Sequence, residues 1–349
     1  MSARVGGVWL ALMAAALFGA STPLAKGLLS ATSPQLLAGL LYLGSGIGLF
    51  LVWLARRRKR REAKLSGRDL PWLSAAIVTG GVLGPLLLMY GLVRTPASSA
   101  SLLLNLEGVF TSLLAWLVFR EHVPLRIVIG MLAIVAGGAV LSWEGHLAWG
   151  GIGGPLAITG ACLCWAIDNN LTQKVSAADA VQIAQFKGLT AGLLNTGLAL
   201  SLGASLPQLA PLAGALLVGF FGYGLSLVCF VLALRGLGTA RTGAYFSLAP
   251  FIGAALGLLL YREPMTPLFL AAASLMALGL WMHLGERHEH RHEHEPLEHS
   301  HAHVHDEHHR HEHAPEDPPG EPHTHEHRHQ RLTHVHRHYP DIHHRHGHS

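Results

Sequence analysis

Charge is what this chain has least of. Asp, Glu, Lys and Arg make up 13% of its 349 residues, against 50% apolar residues and a mean hydropathy of +0.35. A soluble globular domain carries about 25% charged residues, so a fully water-exposed surface is excluded and a membrane protein is expected. Cysteine is scarce too. Cys162, Cys164 and Cys229 all fall in apolar stretches without C-x-x-C spacing, which excludes a disulfide framework and a structural zinc site and leaves packing as their role. No pairing of a nucleophile with a base recurs in the apolar segments, which argues against an enzyme. Nucleic acid is not expected as a partner. The single basic run, residues 56–61, lies between two apolar segments, where the cytoplasmic bias of Lys and Arg explains it.

What charge there is divides the chain in two. Residues 1–286 carry 18 Lys and Arg against 9 Asp and Glu, whereas residues 287–349 carry 7 against 12 and hold 23 of the 26 histidines. A hydrocarbon layer of about 30 Å takes roughly 20 apolar residues as a helix. Segments of that kind fall near 6–29, 35–55, 70–93, 97–119, 126–143, 149–171, 181–203, 210–234, 241–261 and 266–284. Lipid offers backbone groups no partner, and the segments are too long for barrel strands, so they are expected to be helices. With the N-terminus in the cytoplasm, 15 Lys and Arg lie inside. Only Lys26, Arg94 and Arg262 lie outside. Both termini are therefore expected in the cytoplasm. Six of the eight tryptophans fall near span ends, as an interfacial belt requires; Trp116 and Trp165 do not.

An internal repeat supports this reading. Residues 105–121 read NLEGVFTSLLAWLVFRE and residues 247–263 read SLAPFIGAALGLLLYRE, an ungapped match 142 residues apart that closes on aromatic-Arg-Glu in both copies. Reading the first span as a cleaved leader, with Phe18-Gly19-Ala20 as the site, would leave nine spans and spoil that repeat. Five spans per copy is an odd number, so the second copy must enter from the opposite side. Many secondary transporters use such inverted repeats to hold a solute between halves. The divisions expected are 1–145 for the first repeat, 146–286 for the second and 287–349 for a cytoplasmic tail.

At these residues the chain resembles the drug/metabolite transporter superfamily, and within it the EamA family of ten-helix exporters. The resemblance rests on Leu17-Phe18-Gly19-Ala20-Ser21-Thr22, on Thr95-Pro96-Ala97-Ser98-Ser99-Ala100 leading into Leu106-Glu107, and on the Arg-Glu closing each copy. It covers about residues 5–285 and implies an inner-membrane secondary transporter of amino acids, metabolites or drugs. The family often has Glu-Pro in the fourth helix. Here Gly108 follows Glu107, while Pro250 keeps the proline in the second copy, so a milder break is expected in the first half.

Ionisable groups inside a membrane are functional candidates by default. Glu107, near the middle of the fourth span, is either neutral and hydrogen-bonded or the proton-coupling group. Lys26 and Lys187 sit near span ends, where snorkelling explains them. Asp168, Asn169 and Asn170 form a second polar cluster that either binds solute or ends a helix. Asn105 and Lys26 complete the candidate solute path; Asn105 shares a site with Glu107 only if the helix is broken there. Pro23, Pro85 and Pro250 are candidate helix breaks. Gly44-x-x-x-Gly48 and Gly253-x-x-x-Gly257 are small-residue seams, for internal packing or for a homodimer face.

In the tail, histidine recurs at every second position: His288, His290, His292 and His294; His299, His301, His303 and His305; His323, His325, His327 and His329. With no apolar partners, such a segment is expected to be disordered when free. Neutral imidazole suits Zn, Ni, Co and Cu, so the tail is a candidate metal buffer or sensor, with a solubilising or functionless run as the plain alternative. No cofactor is required by this reading. The expectation is an all-α membrane protein with ten transmembrane helices as two inverted five-helix repeats and a disordered tail. It sits in the lipid bilayer and exports a small organic solute. The alternative is a divalent Ni, Co or Zn exporter, or a metal-regulated transporter.

Overall fold

The computed structural model describes residues 2–55, 67–119, 125–148, 151–175, 180–237 and 239–284, together with four short stretches of the tail. The apolar runs are helical, as the hydrogen-bonding demand of lipid requires. In chain order they are α1 (Ser2–Leu28), α2 (Pro34–Ala55), α3 (Leu70–Ala76), α4 (Gly84–Arg94), α5 (Ala97–Leu103), α6 (Leu106–Phe119), α7 (Leu125–Ala148), α8 (Gly153–Val175), α9 (Ala180–Ser201), α10 (Leu209–Val218), α11 (Ser226–Leu237), α12 (Thr239–Phe246), α13 (Ala249–Tyr261) and α14 (Pro267–Leu284). Six helical stretches among the described residues are long and apolar enough to cross a membrane, three of them compound: α3 joined to α4, α5 to α6, and α10 to α11. Helices α8 and α9 have the length, at 23 and 22 residues, but carry Asp168 and Lys187 in place of apolar side chains.

The joints in the compound helices show the repeat in the backbone. A π-helical segment, Ile77–Leu83, links α3 to α4, and a second, Gly219–Leu225, links α10 to α11. Residue 219 follows residue 77 by 142 positions, the spacing of the sequence repeat. The same offset relates the start of α4 to that of α11 and the start of α7 to that of α14. Breaks fall at residues 104–105 between α5 and α6 and, one residue beyond that offset, at 247–248 between α12 and α13. The first break is therefore as long as the second, although Gly108 stands where the second copy has Pro250. Of the candidate breaks, Pro250 lies in the first turn of α13, just after a break, where a missing N–H costs nothing. Pro85 lies in the first turn of α4 but follows directly on the π segment, so it bends no chain there and its missing N–H leaves carbonyls behind it to other donors. Pro23 does not break its helix: α1 runs through it to Leu28.

The two copies interlock. Helix α1 packs on α11 and α13 of the other copy, while α8 packs in the same way on α4 and α6; the pairs α2–α9 and α7–α14 close the seams. Leu37 and Leu41 of α2, Leu88 and Met89 of α4, Leu103 of α5, Ile158 of α8 and Met276 of α14 are buried in one continuous core. Leu117, Leu132, Leu193, Leu259 and Trp143 are exposed, the arrangement of a bundle solvated by lipid. Both glycine seams are consumed inside the chain. Gly44 and Gly48 lie against Leu216 and Phe220, and Gly253 and Gly257 against Ser101 and Ser98. They provide close helix packing, not a homodimer face, because the neighbouring backbone already occupies the groove a partner would need.

In the tail, β1 (Glu289–His294) pairs antiparallel with β4 (Leu332–Arg337), and β2 (Glu298–His303) with β3 (His323–Arg328). Both pairings lie within the segment that the sequence leads one to expect disordered when free. A period-two sequence satisfies its backbone in a ladder even without an apolar face. His288, His305 and His329 lie outside the described residues.

Candidate functional site

The break between α5 and α6 determines where Glu107 sits. The N–H groups of Leu104, Asn105 and Glu107 donate to Ser101, Leu102 and Leu104 at 3.2, 3.0 and 3.1 Å, tightening the chain into a 3₁₀-like turn. Glu107 thereby begins α6, where the helix dipole favours a carboxylate. Its Oε1 accepts a 2.8 Å hydrogen bond from Asn169 Nδ2 on α8. Asn105 does not join them. Its Nδ2 caps the Leu102 carbonyl at 2.8 Å and approaches Met276 Sδ, so it stabilises the break.

Next to Asn169 on α8, Asp168 is 5% exposed and fully committed. Lys187 Nζ of α9 donates to both its oxygens at 2.6 Å, and Thr172, four residues on along α8, donates to Oδ1 at 2.9 Å. A side chain at Gly80 would occupy the space of the Asp168 carboxylate, so the glycine in the π segment is what admits the ion pair. Lys187 is thus a part-buried ion-pair partner held against Asp168 and does not snorkel. Asn170 turns back to its own helix, donating to Ala166 O at 2.8 Å.

The π segment explains a further group of polar contacts. Widened turns leave carbonyls out of register with the helical ladder, and Gly80 O accepts from Tyr42 Oη at 2.7 Å and Trp165 Nε1 at 2.9 Å, while Gly81 O accepts from Asn195 Nδ2 at 3.0 Å. Tyr42 begins an aromatic row. Its ring meets Tyr223 at 5.5 Å, Tyr223 meets Phe18 at 6.1 Å, Phe18 meets Phe246 at 5.4 Å, and Phe246 meets Phe230 at 4.8 Å. The row crosses from the first copy to the second. Sequence reasoning passed over these residues. The available signal was their mid-span position, away from the interfacial belt.

At the end of the bundle carrying Lys26, the copies are locked together. Lys26 Nζ donates to Leu92 O at 2.7 Å and Thr95 O at 2.6 Å, capping the C-terminus of α4. Arg262, at φ 51° and ψ 40°, turns the chain back after α13, and Glu263 then accepts from Ala97 N at 2.7 Å, Ser98 N at 2.9 Å and the Ser98 hydroxyl. Tyr261 Oη closes on Pro23 O at 2.7 Å. The other end differs. Helix α5 packs closely along α13, but its counterpart α12 packs chiefly on α1 and α11 among the described residues, without a comparable seam along α6. Glu121, the counterpart of Glu263, lies outside the described residues. So, among the tail histidines, do the side chains of the strands; no group of three or more metal-ligating residues occurs among the described residues.

A bundle of apolar helices with lipid-facing leucines, built twice over and enclosing acidic and aromatic groups, defines a multi-pass membrane protein of the transporter class. The model of the EamA-like transporter family matches residues 5–143 and again 152–285. The chain belongs to that family, within the drug/metabolite transporter superfamily. It is 31% identical over 278 residues, 75% of this chain and 81% of the other, to a protein described as an uncharacterized transporter in Methanothermobacter thermautotrophicus. It is 26% identical over 270 residues, 74% and 85% of the two chains, to the uncharacterized transporter YvbV of Bacillus subtilis. The fold is shared with a solved crystal structure at a TM-score of 0.59 and 18% identity, covering 81% of this chain and 95% of that one.

Proposed function

We propose that this protein is a ten-passage secondary transporter of the inner membrane, with both termini in the cytoplasm, that exports a small organic solute by alternating access. The unequal ends carry this reading. Glu263 and Tyr261 join the copies at the end that carries Lys26, which the distribution of Lys and Arg assigns to the outer face, while the repeat-related end lacks the equivalent seam among the described residues. Two copies of one fold in two different arrangements are what exchange between inward-open and outward-open states requires. On this reading the seam closes the outer face, and the conformation is the inward-open one.

Glu107 is the proposed coupling group. It stands beside the exposed Asn169, within proton reach of a solute path, whereas Asp168 is neutralised by Lys187. Glu107→Gln keeps the shape and a hydrogen-bonding end, so gradient-driven transport in proteoliposomes is expected to fall at least tenfold with expression and thermal stability unchanged. Unchanged proton-driven flux rejects the assignment.

The tail is proposed to bind Zn, Ni, Co or Cu. The ladder sets His290 opposite His336, His292 opposite His334 and His301 opposite His325, and neighbouring imidazoles are good ligands for these ions.

A further inference from the structure

Resting on the reading that the tail binds metal, we infer that metal closes the tail into a single hairpin, with one ion held across the strands of each ladder. The register of the inner ladder leads there. In the pairing of β2 with β3, His299 stands opposite His327, His301 opposite His325 and His303 opposite His323. Successive residues of a strand alternate between faces, so these six positions share one face, and the positions of the other face hold no histidine. The sequence alone gives only the period of two. A slip of one position would set His301 against Thr324 or Glu326, so it is the register that gathers the histidines.

The outer ladder repeats the pattern. His290 pairs with His336 and His292 with His334, again at positions of one face. The two ladders also follow one register. Three residues separate β1 from β2 and three separate β3 from β4, so stepping across them leads from His294 opposite Leu332 to Glu298 opposite Arg328. Closing the inner ladder therefore aligns the outer one.

Such a hairpin needs help to stay closed. An isolated pair of strands is marginal in water at best, and among the strand residues only Ala302, Leu332 and Val335 are apolar. Residues 304–322 must also be closed as a loop, at a cost in chain entropy. A metal ion across the strands offsets both. Opposite positions have Cβ atoms about 4.5–5.5 Å apart, and neighbours on one face of a strand are about 6.7 Å apart. Two adjacent cross-strand pairs thus form a grid whose four imidazoles suit a tetrahedral ion such as Zn, with Zn–N bonds of about 2.0–2.1 Å. His299, His301, His325 and His327 are that grid in the inner ladder, and His290, His292, His334 and His336 in the outer. An extended strand alone brings two neighbouring imidazoles to one ion. Completing four takes the partner strand, so the free energy of binding becomes free energy of folding.

The test uses the full-length protein in detergent with Zn²⁺ as the added ligand, read by equilibrium dialysis and by amide hydrogen exchange. Two ions per chain are expected to bind at least tenfold more tightly than any others, and the amides of 298–303 and 323–328 to slow together, at least tenfold, when Zn²⁺ is added. One variant keeps the number of histidines and destroys the inner grid: His301→Ala, Ala302→His, Thr324→His and His325→Thr together move the central pair to the other face. It should retain fewer than two tight ions and lose the slowed exchange of the inner ladder. Unchanged affinity, stoichiometry and protection in this variant, or tight binding without protection in the unaltered protein, overturns the hairpin and leaves metal binding by the tail standing. Protection already complete without Zn²⁺ overturns closure by metal. No Zn²⁺ bound by the unaltered protein overturns the hairpin and the metal-binding reading together.

Discussion

Asp168 and Lys187 show how a charge pair becomes part of a membrane core. They are 19 residues apart on different helices, meet at 2.6 Å, and fit only because position 80 lacks a side chain. Removing one partner of a buried pair costs about 3–5 kcal/mol, whereas replacing both by neutral groups of similar size costs far less. Lys187→Met should therefore lower the thermal midpoint of the detergent-solubilised protein markedly, and Asp168→Asn combined with Lys187→Met should recover most of the loss. A double variant no more stable than Lys187→Met alone would show that the pair does not act as a unit. Sequence reasoning marked Asp168 as a solute contact and treated Lys187 as snorkelling. Nothing local in either helix signals that the two meet.

At the scale of the element, the π segments and the breaks are the joints. Each π segment lies between two straight helical pieces, and in the first copy the displaced carbonyls of Gly80 and Gly81 are satisfied by Tyr42, Trp165 and Asn195. Trp165→Phe removes one of the two donors to the Gly80 carbonyl, which keeps Tyr42, and should cost about 0.5–1.5 kcal/mol in unfolding measurements, the net worth of one hydrogen bond. The clasp formed by Glu263 on Ser98 belongs to this scale as well. Glu263→Ala is expected to make a cysteine at position 101 react faster with a membrane-impermeant thiol reagent applied outside; an unchanged rate would show that the clasp does not hold the outer end shut. Pro250 marked the second break in the sequence, while Pro23 and Pro85 sit in continuous helix; the equal length of the first break was not legible, since backbone bonds rather than residue type close it.

The whole molecule is two interlocked copies in which the first helix of each packs into the other, so motion of one copy drags part of its neighbour. If the outer closure opens once per cycle, joining Ser98→Cys to Glu263→Cys with a short bifunctional thiol reagent should stop flux, and a cleavable reagent should restore it on reduction. Flux that persists through the cross-link would exclude alternating access at that end. The tail is attached beyond this machinery. Truncation after residue 285 is expected to leave organic flux intact and to abolish high-capacity Ni or Zn binding, read by equilibrium dialysis of the purified protein.

Residue order by itself determined the helical class, the duplication and the family, because hydropathy over about 20 residues and a 142-residue repeat are linear properties of the chain. It also singled out Glu107, since a carboxylate in an apolar run is conspicuous at once. Only the tertiary structure decided which charges are spent. Lys26 on the α4 carbonyls, Lys187 on Asp168 and Asn105 on its own turn look equally available in sequence, and each is taken out of play by a neighbour brought close by folding. The aromatic row belongs to the same category. Tyr42, Tyr223, Phe18 and Phe246 lie on helices from both copies, and a helix shows its neighbours one face at a time, a choice made by packing and not by the order of residues.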